Sequence, residues 1–404
     1  MKSTNGDVVP AKPKKEEVDL CADGFGVYVK RSVKALLFEN SLNIMMLAMP
    51  LAIFAEFNEW SDGIVFGLSL LAIAPFAERL SFVTEQLALH TSQLLGGLLN
   101  ATFGNVTELI VSFFALKAGM LRIVQVSLLG SILSNLLLVL GCAFFAGGQN
   151  FLDQKFNSSA SAVNISMLVF FSSALLYPAM FELTHEDTTG QTTLMVSRCM
   201  SILMLITYLF YIFFQLFTHS HLYEEEKDDD NDDDEEDDDE EEPILGVWGA
   251  IFWLAVITVA ISLLSEYMVD SLEAASENWG VPDLFLGTIV IPIVGNAAEH
   301  AAAVIFGVKN KMELAIGIAV GSSIQIAVFC VPFLILVAWS AGSPLSLNFG
   351  GFETGVLVST IIFVGFVIQN GQSNWLMGQM LVTAYFVVAT GFFVHVDPAE
   401  MRRA

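Results

Sequence analysis

This sequence predicts an all-α membrane protein of about eleven transmembrane helices, a first helix followed by two inverted sets of five. Three observations carry that expectation. Of 404 residues, 54% are hydrophobic and only 15% charged, more apolar surface than one soluble core can hide. Apolar runs of about 17–25 residues, the length that crosses a bilayer as helix, recur from Ser41 almost to the C-terminus. A Gly-Asn-x-x-Glu motif also occurs twice, at Gly104–Glu108 and Gly295–Glu299, with the same sequel in each place.

In chain order, residues 1–35 form a hydrophilic tail with Pro10, Pro13 and several lysines. It lacks the apolar core of a cleaved signal peptide, so insertion is expected to start at the first internal span. That span is read at about 41–57, inside a first transmembrane segment 36–60. Further runs near 63–83, 94–117, 124–146, 161–181 and 196–217 make a first five-helix repeat, 61–220. A polar segment 221–243 follows. Runs near 244–270, 284–308, 314–339, 352–369 and 375–395 make the second repeat, 244–397, and 398–404 is a short tail. Lys30, Arg31 and Lys34 flank the first span and put the N-terminus in the cytosol. The loops carrying Lys155, the polar segment, and Lys309 with Lys311 then share that side, while Lys117, Arg122, Arg402 and Arg403 fall opposite. Cys142, Cys199 and Cys330 lie in apolar runs as small hydrophobes, and Cys21 in a polar segment, so no disulfide framework is expected.

The formal charge of −26 is mostly local. Glu224 to Glu242 holds 17 acids and one lysine, a net −16 that leaves −10 for the rest of the chain. A block of like charge repels itself, and aspartate is a poor helix former, so disorder is the default expectation here. Carboxylates held beside a cation path also concentrate divalent ions. Glu224, Glu225, Glu226, Asp228, Asp232, Glu235, Glu236 and Glu240 are therefore candidates for cation capture or regulation at a cytosolic entrance.

The chemistry concentrates in the repeated motif. From Glu108 and from Glu299 the same 22 positions lead to Gly130-Ser131 and to Gly321-Ser322, an ungapped match that marks an internal repeat. Five spans per half is odd, so the second half enters the bilayer from the opposite side, as in many secondary transporters. Gly104 and Gly295 are candidate helix breaks near mid-membrane, and Pro292 removes a backbone donor just upstream of the second. Asn105 with Glu108, and Asn296 with Glu299, are three apart and share a helix face. An acid at the bilayer centre costs about 2.5–3.5 kcal/mol on insertion scales, and neither motif holds a basic partner. Protons on both glutamates would neutralise them, and so would one cation between them. Calcium takes about six to eight oxygens, which two carboxylates, two amides and carbonyls freed by the breaks can supply. Glu108 and Glu299 are thus the metal-ligand candidates, and occupancy by protons or by metal excludes the other.

Ser131, Ser134 and Asn135 in one half, and Ser322 and Gln325 in the other, add hydroxyl and amide oxygens on the following helices; small polar residues of this kind also glue membrane helices together. Glu78 and Arg79 are adjacent and are read as mutually neutralising, Glu266 and Asp270 as facing water, and Glu353 as a residue at a span boundary. Glu85 is a candidate for the ion path. His300, beside Glu299, is a candidate for proton coupling. No His-Glu-x-x-His motif exists and the Gly-Ser pairs lack a base, so no enzyme, resident cofactor or nucleic-acid partner is expected. The partners are a bilayer, Ca2+ and H+. The residues leave the oligomeric state open, and leave a sodium/calcium exchanger or a passive cation channel as alternatives.

Thr84–Leu87 (TEQL), Gly96–Leu109 (GGLLNATFGNVTEL), Gly130–Gly141 (GSILSNLLLVLG), Pro292–His300 (PIVGNAAEH) and Gly321–Gln325 (GSSIQ) resemble the cation/proton exchanger family of the calcium/cation antiporter superfamily. The likeness covers nearly all of 36–397 and is strongest to plant and fungal vacuolar members. It implies a peripheral first helix beside two inverted five-helix repeats, and exchange of cytosolic Ca2+, with Mn2+ and other cations as further substrates, for protons of an acidic compartment such as the vacuole. It implies that Glu108 and Glu299 are the alternating cation and proton sites, helped by Asn105, Asn296, Ser131, Ser322 and Gln325. Glu85 matches an acidic path position, His300 a motif histidine, and the acidic run a cytosolic Ca2+-binding helix. Two features depart from the family: the run is dominated by Asp, and Glu266 adds a carboxylate.

Overall fold

The computed structural model describes residues 25–38, 40–91, 95, 96, 99, 102–184, 190–223 and 243–395. Its helices are α1 (Phe25–Leu37), α2 (Ala48–Phe57), α3 (Asp62–Leu89), α4 (Val106–Lys117), α5 (Leu121–Gly147), α6 (Ser158–Leu183) and α7 (Gln191–Thr218). Then follow α8 (Val247–Asp270), α9 (Leu272–Trp279), α10 (Asp283–Gly295), α11 (Ala297–Val308), α12 (Met312–Ser340), α13 (Gly351–Ile368) and α14 (Trp375–Val394). Among the described residues eight helices are long and apolar enough to cross a bilayer, or up to ten if each of two bent pairs is one crossing. α4 and α11, twelve residues each, are about 18 Å long and are half-spans. α11 continues α10 beyond a break at Asn296, and the stretch before α4 lies partly outside the described residues. The described residues thus account for eight to ten of the eleven crossings expected.

The repeat is visible in the elements themselves. A constant shift of 191 positions, the distance from Val106 to Ala297, carries α4 onto α11 and the start of α5 at Leu121 onto that of α12 at Met312. Both α5 and α12 widen midway into a π-helical turn, Ser134–Val139 and Ile326–Cys330, whose last residues obey the same shift and whose first residues differ from it by one. Such turns recur at functional sites because they redirect side chains and loosen carbonyls.

Burial separates a centre from a rim. In α5, 83% of the most apolar window is buried, against 22% in α14. Phe210, Val259, Phe366 and Val387 stand exposed on outer helices, the surface that lipid covers. Without water to drive helices together, close approach of backbones holds the centre. A methyl group at Gly130 would collide with the Thr288 carbonyl and one at Gly378 with Phe145 of α5, so both contacts require glycine.

The chain differs from expectation at its start. Within the segment read as tail, α1 begins at Phe25, well before residue 36, and turns Ala35 and Leu36 inward while Lys30, Arg31 and Lys34 stay exposed. A 3-10 turn, Ser41–Leu47, then leads into α2. Arg79 ties this region to α3: it is buried, pairs with both carboxylate oxygens of Glu78, donates to the Ala35 carbonyl at 3.0 Å and faces the Phe82 ring. At one end of the bundle, two-residue strands Gln154–Lys155 and Gln372–Ser373 pair antiparallel, and Gln154 Nε2 donates to the Gly307 carbonyl at 2.8 Å.

A second buried ion pair had no signal in sequence. Arg122, at the start of α5, pairs with Glu353 in the first turn of α13 and donates to the Phe349 carbonyl, and His395 Nε2 stands 3.7 Å from the same carboxylate. Glu353, expected as a solvated or packing residue at a span boundary, is 1% exposed and is a buried packing anchor. Arg122→Met is expected to destabilise the fold by about 3 kcal/mol, because it strands a buried carboxylate. A melting curve of the detergent-purified protein checks this, and Arg122→Met with Glu353→Leu should recover most of the loss.

Candidate cation site

The site is built where the two repeats cross. Helix is interrupted inside both motifs, at Gly104-Asn105 and at Asn296, and Asn105 (φ −117°, ψ 27°) and Asn296 (φ −89°, ψ 18°) occupy the N-cap positions of α4 and α11. Neither side chain caps its own helix. Each reaches into the other repeat instead. Asn105 Nδ2 donates to Gln325 Oε1 at 2.5 Å, and Ser322 Oγ donates to Asn105 Oδ1 at 2.7 Å. Asn296 Nδ2 donates to the Ser131 carbonyl at 3.3 Å. Asn135 Nδ2, from the π-helical turn of α5, donates to Ser322 Oγ at 3.1 Å. Glu108 and Glu299 sit in the first turns of α4 and α11, where the unpaired N–H groups of a helix start favour negative charge.

Two cavities with mirrored walls flank this crossing. One, of about 320 Å³, is lined by Glu299, Ser322, Gly104, Asn105 and Gln325, with Ser81 and Gln215 further out. The other, of about 20 Å³, is lined by Glu108, Ser131, Gly295 and Pro292, with Thr107 and Ser112. Under the 191-position shift Glu108, Ser131 and Gly104 correspond to Glu299, Ser322 and Gly295. These three matched residues therefore stand in an open cavity on one side and in one closed to about the space of one water on the other. The glycines that start the two Gly-Ser pairs agree: Gly130 is pressed against Thr288, whereas a methyl at Gly321 would meet nothing within 4 Å. The open cavity shares Gln215, Gly317 and Ile318 with an outer cavity of about 360 Å³ that reaches Asn157, Asn164, Tyr223 and Glu313.

The donor set suits a hard cation. Among the described residues no three His, Cys, Asp or Glu side chains converge, so two carboxylates must be completed by neutral oxygens. Glu299 Oε2 and Asn296 Oδ1 are buried and have no hydrogen-bond partner among the described residues. A methyl at Gly295 would stand 3.8 Å from Glu108 Oε1, which puts that carboxylate against the break of the opposite repeat. Oxygens left unpaired around a carboxylate pair are what calcium or a proton would satisfy.

Other candidates fall at varying distances from this centre. Glu85 is exposed on α3, one turn beyond Ser81 on the same face. His300 is half-buried in α11 beside Glu299. Neither is among the described residues lining the two mirrored cavities. Glu266 pairs with Lys117 at 3.0 Å, with both side chains exposed. The acidic run, Glu224 to Glu242, lies outside the described residues. Sequence reading missed the outer cavity: Asn164, which accepts from Tyr211 at 3.0 Å and from Tyr223 at 3.4 Å, stands on α6 and Glu313 on α12. They lie 149 positions apart in sequence, and only the fold gathers them.

A family model described as sodium/calcium exchanger protein matches residues 62–217 and 249–394. Vacuolar cation/proton exchanger 2 of Arabidopsis thaliana is 49% identical over 92% of this chain and 85% of its own length. This chain belongs to the cation/proton exchangers of that family. A crystal structure of the Ca2+/H+ antiporter protein YfkE, 33% identical, covers 88% of this chain and 99% of its own with a TM-score of 0.74. The H+/Ca2+ exchanger CAX, at 14% identity, covers 91% and 93% with a TM-score of 0.63 and shares the fold. The exchanger membership makes the protein a transporter, not an enzyme, and the two mirrored cavities fall within the matched segments of the family.

Proposed function

We propose that this protein exchanges cytosolic Ca2+ for protons from the lumen of a vacuole by alternating access, with Glu108 and Glu299 as the shared cation and proton site. The observation that carries this reading is the pair of mirrored cavities, one open to Glu299 and one closed over Glu108. The relatives named vacuolar cation/proton exchangers and the likeness to a Ca2+/H+ antiporter support the ions and the membrane.

The geometry gives each residue a task. Calcium enters through the outer cavity past Glu313 and Asn164 and meets Glu299 Oε2 and Asn296 Oδ1, oxygens with no other partner among the described residues. Glu108, against the opposite break, supplies the second carboxylate. Ser131, Ser322, Asn105 and Gln325 complete an oxygen shell, with Gly104 and Gly295 letting the backbone turn away. Metal displaces protons because an ionised acid pair this deep is stable only with something positive on it. Reversal then packs Gly321 as Gly130 is packed here and opens the Glu108 side. Glu85 extends the path outward on the Ser81 face, and His300 couples to proton release at Glu299.

The open cavity faces the end of the bundle that carries Tyr223, the residue before the acidic run, which supports that end as cytosolic. The N-terminus lies on the same side in this reading. Sealed proteoliposomes with an acid interior test the exchange: the wild type should accumulate calcium against its gradient and release protons. Dependence on internal sodium would indicate a sodium-coupled exchanger, and uptake that only follows the calcium gradient would indicate a channel. Deleting 224–242 should raise the external half-saturation for calcium severalfold with little change in maximal rate. An unchanged value removes the capture role of the run.

A further inference from the structure

We propose that Asn135 is a positioning residue that makes Ser322 present an oxygen lone pair, rather than its proton, to the transported cation. The inference rests on the exchange reading above and concerns how one half of that site is held ready.

The argument is a count of hydrogens. Asn135 is fully buried in the π-helical turn of α5 and directs its Nδ2 to Ser322 Oγ. The donor end makes this contact, and its own Oδ1 is buried with no partner among the described residues. Ser322 has one hydroxyl proton, and it goes to Asn105 Oδ1. That fixes the Asn105 amide, whose Nδ2 turns to Gln325 Oε1. Four side chains from three helix segments therefore form a chain of one polarity, Asn135 to Ser322 to Asn105 to Gln325. With its proton given to Asn105 and one lone pair taken by Asn135, the Ser322 oxygen has a lone pair left, and Ser322 lines the open cavity. The Asn135 donor locks the hydroxyl rotor with a lone pair on its side; without it the bond to Asn105 alone holds the proton, and the Asn105 amide is free to reverse, donate to Ser322 Oγ and turn the hydroxyl proton on an approaching cation.

The two repeats differ at this point. The 191-position shift carries Ser131 onto Ser322 but Ser134 and Asn135 onto Gln325 and Ile326. The hydroxyl of Ser131 thus has no amide from the matching position of the other repeat, and Asn135 breaks the symmetry of the site. The π-helical turn is what aims it: Asn135 is the second residue of that turn, directly after Ser134.

Leucine matches asparagine in shape and resembles the isoleucine at the mirrored position, so Asn135→Leu is the test, with Ser322→Ala and the double variant completing a cycle. In acid-loaded proteoliposomes, Asn135→Leu is expected to raise the calcium half-saturation about tenfold while the maximal rate stays within about twofold, the loss of one buried donor's contribution. In the Ser322→Ala background the same change should alter the half-saturation by less than about twofold, because the residue acts through Ser322. An equal effect in both backgrounds would show a packing role and overturn the proposal, as would an unchanged half-saturation. If the leucine variant is not recovered folded, Asn135→Ala runs the same cycle. Failure of the exchange reading is distinguishable, because then the wild type itself shows no pH-driven uptake.

Discussion

Glu299→Gln should abolish pH-driven calcium uptake, with the rate falling at least about 100-fold, and Glu108→Gln should do the same. The reason is that glutamine keeps the shape and hydrogen bonding of the side chain but can neither be neutralised by a proton nor neutralise a metal. With one carboxylate gone the buried cation loses half of its counter-charge, a loss of the size found when one partner of a buried ion pair is removed, about 3–5 kcal/mol, and each 1.4 kcal/mol is about tenfold. Counter-transport by a variant lacking either carboxylate would require another buried acid, and among the described residues Glu353 and Glu78 are already paired with arginines. Glu299→Asp separates charge from reach. It keeps the carboxylate and shortens it by one carbon, so partial transport at raised half-saturation is expected. If either glutamine variant transports at more than a tenth of the wild-type rate, the assignment of both carboxylates to the site is wrong.

The second large effect is expected at the mirrored glycines. A methyl at Gly321 meets nothing within 4 Å in this state, so Gly321→Ala should fold normally and still bind calcium from the open side. Turnover should fall at least about tenfold, because reversal brings that glycine against backbone as Gly130 is now. Gly130→Ala should act in the opposite sense. Its methyl collides with the Thr288 carbonyl, and overpacking of this kind costs about 1–3 kcal/mol, enough to drive the protein out of this state. Labelling of Gln215→Cys, in the wall of the open cavity, by an impermeant thiol reagent in a cysteine-free background reads it out. Labelling should drop in Gly130→Ala and hold in Gly321→Ala. Normal turnover by Gly321→Ala would mean that the closed side is not a mirror of the open one.

Some of this was legible in the chain and some could not be. The two Gly-Asn breaks and the equal spacing to Gly130 and Gly321 are local patterns, and each half repeats them, so the helix interruptions and the inverted layout followed from reading alone. The partners of Asn105 lie 217 and 220 positions away, at Ser322 and Gln325. Composition carries no hint of such a crossing, and the asparagines looked like neighbours of their own glutamates rather than links to the other repeat. The difference between the two cavities was not legible, because Glu108 and Glu299, Ser131 and Ser322, and Gly295 and Gly104 match in sequence while the packing at Gly130 is a tertiary contact. The π-helical turns have no known signature in an apolar run. Arg122 and Glu353 stand 231 positions apart, and each alone reads as a charge at a span boundary. The start of the chain was obscured for a different reason: α1 buries little beyond Ala35 and Leu36, and its exposed lysines resemble those of a tail.

The shared motif and spacing of the two halves also bear on energetics. A perfectly symmetric inverted pair would populate its two access states equally, since each would be the other viewed from the far side. Any resting preference must then come from places where the halves disagree, and at the site those include Thr107 against Ala298, Ser112 against Ala303, Ser134 against Gln325 and Asn135 against Ile326. A bias of only about 1.4 kcal/mol spread over such positions holds roughly nine molecules in ten in one state. The direction in which the exchanger waits, open to one compartment while the other is sealed, is on this view written in a handful of side chains and is open to tuning without touching either glutamate.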